Sequence, residues 1–215
     1  MLKKISVFET KNSNKLRKIH FQISAILCFI ISFQLGSDLI GQENGKQLIV
    51  WDGEQFQKGA GWTNPAKTCT ILPQTKEVYS GKLALEFKFN DTITAGWIGA
   101  GWNWAAMQVG PYGTDISTLK YFTFWLKVKG NAADFAFNLL CNGEPALDQP
   151  QHHTEKVIVA KYCPQWKDGN WHKIVVPLNE LIQPKGFDPK HVAEMQFFNT
   201  KNGTGSFFID DIAFN

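Results

Sequence analysis

Two sets of side chains in this sequence could do chemistry. The first is its tryptophans, eight in all, at positions 51, 62, 97, 102, 104, 125, 166 and 171, with three of them inside AGWIGAGWNW. Glycines beside tryptophans leave ring faces uncovered, and an uncovered indole stacks on the axial C–H groups of a sugar ring while neighbouring amides and hydroxyls take its OH groups. Trp97, Trp102, Trp104 and Trp125 are therefore the candidates for ligand contact, and Trp51 and Trp171 are read as core or rim packing. In YFTFWLKVK, Tyr121 to Lys129, strand alternation sends Phe122, Phe124, Leu126 and Val128 to one face and Tyr121, Thr123, Trp125 and Lys127 to the other. The first is a core face. The second, two aromatics with a hydroxyl and an amine, suits a flat, partly wet ligand.

The second set is carboxylates. In IDDI, Ile209 to Ile212, alternation groups Asp210 with Phe208, Ile212 and Phe214 and points it inwards, while Asp211 points out. A buried carboxylate needs a partner. A lysine, backbone amides or a hard, oxygen-loving cation such as calcium would each serve. A hydrolase or lyase would need paired carboxylates about 5 to 10 Å apart, or a His, Tyr and Lys set. Asp210 and Asp211 point to opposite faces, and His152 and His153 read as part of a polar surface loop.

These groups need elements to hold them. Lys15, Arg17 and Lys18 precede an apolar run from Phe21 to Leu35, followed by Gly36, Ser37 and Gly41, which is the order of a secretory leader. Residues 1–41 are expected to be removed, leaving 42–215 as one domain that is secreted, periplasmic or cell-surface, without a membrane span. The whole chain carries +3, but the leader holds six of its 22 Lys and Arg and two of its 19 Asp and Glu, so the mature part has 16 against 17, net −1. Arg17 is the only arginine, so the mature part has no guanidinium for bidentate phosphate or sulfate recognition, which excludes nucleic acid as a partner. Cys69, Cys141 and Cys163 remain; one disulfide is expected, Cys141 with Cys163 favoured, although spacing does not fix the pairing.

From Gly45 onwards ten short extended segments alternate with turn signals such as Ser80-Gly81, Asn142-Gly143 and Asp168-Gly169-Asn170, with no helical period over twelve residues. Lys82 to Asn90 shows the pattern plainly, with Leu83, Leu85, Phe87 and Phe89 on one face and Ala84, Glu86 and Lys88 on the other. The fold class is all-β, a two-sheet antiparallel sandwich or a barrel. If the strand ADFAFNLL neighbours Tyr121 to Lys129, then Phe135, Phe137 and Leu139 are core and Asn138 faces the ligand side. In AEMQFFN either Gln196 and Phe198 or Met195 and Phe197 face inwards, and Gln196 is placed on the ligand side because a buried amide needs several partners. Tyr121, Thr123, Trp125, Asn138 and Gln196 are thus expected to line one groove.

Five ordered segments, WDGE at Trp51 to Glu54, SGKLALEFKF at Ser80 to Phe89, LKYFTFWLKVKG at Leu119 to Gly130, DGNWHKIVVPLNEL at Asp168 to Leu181 and GTGSFFIDDIAF at Gly203 to Phe214, resemble the galactose-binding-like jelly-roll carbohydrate-binding modules of secreted bacterial polysaccharide-degrading systems. The resemblance implies a two-sheet jelly roll, a concave groove for a polysaccharide chain and a structural calcium near the chain ends. Asp52 and Asp210 match its acidic positions and Glu54 is a third possible ligand. Trp125 matches its outward ring. A monomer that binds polysaccharide or oligosaccharide without catalysis is expected. The rivals are a cell-surface protein-interaction or assembly domain, and a jelly-roll glycan hydrolase or lyase.

Overall fold

The computed structural model describes residues 47–54, 59–64, 68–91, 98–105, 113–132, 134–141, 152–181, 183–199 and 203–215, all within the unit Lys46–Asn215. Among them are twelve strands in two antiparallel sheets. The first has the order β10 (His172–Pro177), β6 (Tyr121–Gly130), β12 (Gly203–Phe214), β4 (Ala84–Asp91) and β3 (Cys69–Gln74), with β1 (Leu48–Trp51) also paired to β12. The second has the order β2 (Ala60–Asn64), β5 (Ile98–Asn103), β11 (Val192–Asn199), β7 (Ala136–Cys141) and β8 (His152–His153), with β9 (Val157–Ile158) also on β7. This is the expected all-β sandwich. After β10 the chain makes a 3-10 turn at Leu178–Glu180.

The core lies between the sheets and is built by the period-2 pattern of the strands. Phe122, Phe124 and Leu126 from β6 are fully buried, as are Phe87 of β4, Phe207 of β12, and Phe137 and Leu139 of β7; Phe135, just before β7, is too. Their rings interlock: Phe124 and Phe137 meet edge to face at 5.4 Å, and Phe135 and Phe207 at 4.5 Å. Trp51, Trp102, Trp104 and Trp166 belong to the same cluster.

Cys69, Cys141 and Cys163 are all free and buried, against the expected disulfide. Each packs as a small apolar side chain. Burial raises the thiol pKa of Cys69 and of Cys163.

The alternation of the last strand breaks at Asp211, which takes a left-handed backbone (φ 46°) in a register shift between Asp210 and Ala213. Phe207 and Ile209 before the bulge and Ile212 and Phe214 after it join the core cluster. Asp210 therefore lies on the outer side of the first sheet with Phe208, and its burial comes from another source, the turn between β3 and β4.

Candidate functional site

The outer face of the second sheet carries a row that crosses four strands. Trp62 of β2 stands opposite Gly101 of β5, Gly101 opposite Gln196 of β11, and Gln196 opposite Asn138 of β7. Strand alternation explains who faces out: Ile98, Ala100 and Trp102 of β5, Met195 and Phe197 of β11, and Phe137 and Leu139 of β7 belong to the core, so their neighbours turn the other way. At Gly101 that neighbour has no side chain, and a methyl group there would overlap Trp62 Nε1 and Glu194 Oε1 and stand 2.6 Å from Trp62 Cε2. The indole thus extends over bare backbone towards β11, where its Nε1–H donates to Glu194 Oε1 at 2.5 Å. Gln196 Nε2 donates to the same oxygen at 2.9 Å.

Trp62, Asn138, Gln196 and Phe198 line an open cleft of about 630 Å³ with the chain from His153 to Lys156 on its far side. That side is held by Thr154, whose backbone N–H donates to Leu139 O (2.8 Å) and whose Oγ1 accepts from Leu139 N (3.0 Å). Lys156 Nζ lies 4.1 Å from the centre of the Phe198 ring, a cation on an aromatic face. Asn138 is 6% exposed, and among the described residues its buried Oδ1 has no hydrogen-bond partner. A buried acceptor without a donor costs about 1–3 kcal/mol, energy that the amide would recover by turning this oxygen to a ligand hydroxyl in the cleft.

The residues expected to line one groove are divided between the two sheets. Asn138 and Gln196 are on the cleft, but Tyr121, Thr123 and Trp125 are on β6 in the first sheet, with the core between. Sequence neighbours β6 and β7 do not pair; they cross from one layer to the other. On the outer face of β6 the Trp125 ring is already stacked, on Tyr79 from the turn after β3, at 3.7 Å between centroids and 17° between planes. Thr123 is 3% exposed, and its hydroxyl donates to Ala213 O and accepts from Asn215 Nδ2. Tyr121 is exposed at the start of the strand. Trp102 and Trp104 point into the core at 4% and 6% exposure, which corrects their reading as stacking surfaces. Trp97 lies outside the described residues.

The turn carrying Tyr79 is held at several points. Asp210 Oδ2 accepts from the backbone N–H groups of Tyr79 (2.9 Å) and Ser80 (3.2 Å), Asp210 Oδ1 from that of Asp211 (2.9 Å), and Ser80 Oγ donates to Asp211 Oδ2 (2.9 Å). Glu77 pairs with Lys127 (2.9 Å) and Lys129. Asp210 is fully buried, and burial pushes its pKa up to about 6, against the pull of those three N–H donors and with a further push from the Asp211 charge. Asp52 and Glu54 come near this corner without closing a three-carboxylate site: among the described residues no three His, Cys, Asp or Glu side chains converge on one point. Oxygen atoms gather around two glycines instead. The position of a Cβ on Gly53, which has φ +70°, is overlapped by Leu83 O and lies 3.4 Å from Asp210 Oδ1; that on Gly81 is overlapped by Glu54 Oε1 and lies 3.6 Å from Asp52 O. These all-oxygen donors, with one buried carboxylate among them, fit a hard cation in kind.

Sequence reasoning missed Trp62, Glu194, Phe198 and Lys156. Trp62 sits in AGWTN, a strand too small and polar to show alternation. A signal for Phe198 was present, since the inward choice of Met195 and Phe197 that places Gln196 on the cleft places Glu194 and Phe198 there as well.

Comparison with known proteins bears on what this sandwich does. No curated protein matches the chain. A family 30 carbohydrate-binding module shares 17% identity over 80% of this chain and 99% of its own, with a TM-score of 0.64. The family 30 module of a cellulosomal cellulase of Clostridium thermocellum is equally similar, at 17% over 80% of this chain and 98% of its own, TM-score 0.63. A family 11 module from the same organism, solved in complex with a β-1,3-1,4-mixed-linked tetrasaccharide, shares 16% over 78% and 94%, TM-score 0.56. At these identities the likeness is one of fold. The family described as carbohydrate binding domain 30 matches residues 46–215, and the chain belongs to that family, with non-catalytic carbohydrate binding as its function.

Proposed function

We propose that the cleft on the second sheet is where carbohydrate binds, with a sugar ring stacked on Trp62 and its hydroxyls held along the row by Gln196 and Asn138. The observation that carries this reading is the buried, unpartnered Asn138 Oδ1 in register with Gln196, Gly101 and Trp62. A glycan hydroxyl supplies a donor to such an acceptor, and an indole laid over a glycine supplies a flat apolar surface next to it. The tetrasaccharide bound by the family 11 neighbour makes a mixed-linked β-glucan the first ligand to try. Isothermal titration of residues 42–215 with that tetrasaccharide tests the reading. Trp62→Ala is expected to weaken binding by about 1–3 kcal/mol, the scale of desolvating a large apolar side chain. Trp125→Ala, on the other sheet, is expected to leave affinity unchanged. Equal loss from both, or loss from Trp125→Ala alone, would move the site to the first sheet.

Calcium at the chain ends is a second part of the proposal. Asp210, aided by Asp52, Glu54 and the Leu83 carbonyl, would hold it, and the ion would neutralise a carboxylate that burial otherwise penalises. The third part is export: the basic and apolar order of residues 15–41 and a family match beginning only at residue 46 support a leader removed near Gly41. Among the described residues no helix is long and apolar enough to cross a membrane. The mass of the processed protein checks the cleavage.

A further inference from the structure

We infer that Glu194 is the positioning residue of this cleft: its single oxygen Oε1 fixes the stacking ring of Trp62 and the amide of Gln196 together. The inference rests on the cleft being the carbohydrate site. Glu194 is 5% exposed and lies on β11, two strands from Trp62 and two residues from Gln196 on the same face. Trp62 Nε1–H reaches it at 2.5 Å and Gln196 Nε2 at 2.9 Å. Charge-assisted bonds of this kind are the strong, directional ones.

The need for such a residue follows from the floor of the cleft. Trp62 belongs to β2, the edge strand of the sheet, and its ring passes over Gly101, which has no side chain of its own to place beneath it. A stacking ring ordered before the ligand arrives spares binding the cost of ordering it. Glu194 contributes to that order by catching the indole at its far end. Gly101 and Glu194 thus act as a pair, one vacating the space and the other holding the ring within it. Because the same oxygen also takes the Gln196 amide, ring and hydrogen-bonding group are set in one frame, as recognition of a ring and its hydroxyls at once requires.

The experiment compares four variants, Trp62→Phe, Glu194→Ala, Glu194→Gln and Gly101→Ala, by titration with the mixed-linked tetrasaccharide and by the indole N–H signals in a nitrogen-15 spectrum, where the signal lost in Trp62→Phe identifies Trp62. Glu194→Ala is expected to weaken binding roughly tenfold or more, the scale of losing a charge-assisted hydrogen bond, and to shift and broaden the Trp62 signal while the other indole signals stay in place. Glu194→Gln, which keeps an acceptor oxygen in the same place, is expected to restore most of the affinity and the Trp62 signal. Gly101→Ala, whose methyl group overlaps both partners, is expected to reproduce the Glu194→Ala phenotype with Glu194 intact. If Glu194→Ala binds like the parent, or if Glu194→Gln loses affinity as Glu194→Ala does while the Trp62 signal stays put, Glu194 is no positioning residue and the inference fails. If Trp62→Ala itself binds normally, the assignment of the cleft fails instead, so the two failures are distinguishable. Where the whole spectrum of Glu194→Ala collapses, Gly101→Ala decides: a Gly101→Ala protein that keeps the parent's affinity and Trp62 signal leaves Glu194 a purely structural role, and the inference fails.

Discussion

Stability should rise as pH falls in the metal-free protein and stay nearly flat with calcium bound, and Asp210 is the reason. An aspartate ordinarily titrates at 3.8, whereas burial pushes Asp210 up to about 6 in the folded protein. The folded state therefore holds the proton more tightly than the unfolded chain between those values, and stability must rise as pH falls through this window. Two pH units at 1.36 kcal/mol each give about 3 kcal/mol in full, of which the step from pH 7 to pH 5 recovers about 1.4 kcal/mol. For a domain of this size that is a rise of about 3–6 °C in Tm. Carboxylates held below their ordinary range, Glu77 and Asp168 by their hydrogen bonds to Lys129 and His172 first, and Glu180 by its bond to Lys161, act in the opposite sense. Their contribution is present above the unfolded carboxylate pKa and is lost only as pH falls through their still lower folded values, so it leaves the window from 5 to 7 to Asp210.

Calcium binds the ionised carboxylate, so saturating ion should stabilise the domain at pH 7 by RT ln(1 + [L]/Kd), about 2.7 kcal/mol at a hundredfold excess, and by less at pH 5 where a proton competes. The assay is calorimetric melting at pH 5, 6 and 7, with protein stripped of metal and then with calcium restored. Asp210→Asn should abolish both responses while leaving every histidine in place. A stripped protein whose Tm is flat or falls from pH 7 to pH 5, or a response that survives Asp210→Asn, would refute the reasoning about the buried carboxylate. An unchanged Tm on adding calcium at pH 7 would refute the ion alone.

Phe124→Ala, at a ring with no exposed surface in the middle of the core, should cost about 3–5 kcal/mol of stability by urea titration. Tyr79→Ala should lose the stacked pair with Trp125, about 0.5–1.5 kcal/mol beyond the area it buries, and leave tetrasaccharide affinity as it was. Asn138→Ala should weaken binding without destabilising the domain, because the acceptor it deletes has no partner among the described residues. In a protein of residues 42–215, Cys69, Cys141 and Cys163 should react with a thiol reagent only after denaturation, giving three thiols per chain.

The layers of this fold were legible in the sequence because alternation is local. Phe122, Phe124, Leu126 and Val128, then Leu83, Leu85, Phe87 and Phe89, then Phe135, Phe137 and Leu139 all face the core as the period of two requires. The same rule placed Asn138 outward, and the cost of burying an amide placed Gln196 there with it. Alternation could not say which sheet each strand joins, and that choice separated Trp125 from Asn138. Nor could it see a turn that folds back over a sheet. The ring of Tyr79 and the backbone N–H groups of Tyr79 and Ser80 come from about 130 residues before Asp210 in sequence, yet they account for the burial of Asp210 and the covering of Trp125.

The segment AGWIGAGWNW borders the cleft through its backbone and not through its rings. Two of its tryptophans, Trp102 and Trp104, are inward residues of β5 and its continuation, packed edge to face against Trp51 and Phe214. What the segment presents outward at its centre is Gly101. A strand that alternates tryptophan with glycine must send its bulk to one side and leave the other side bare, and the bare side is where a ring from the adjacent strand can lie flat. The glycines do not uncover the tryptophans beside them. They uncover the sheet, and the tryptophan that uses the space is Trp62, about forty residues earlier on the next strand, held there by Glu194 from the strand beyond.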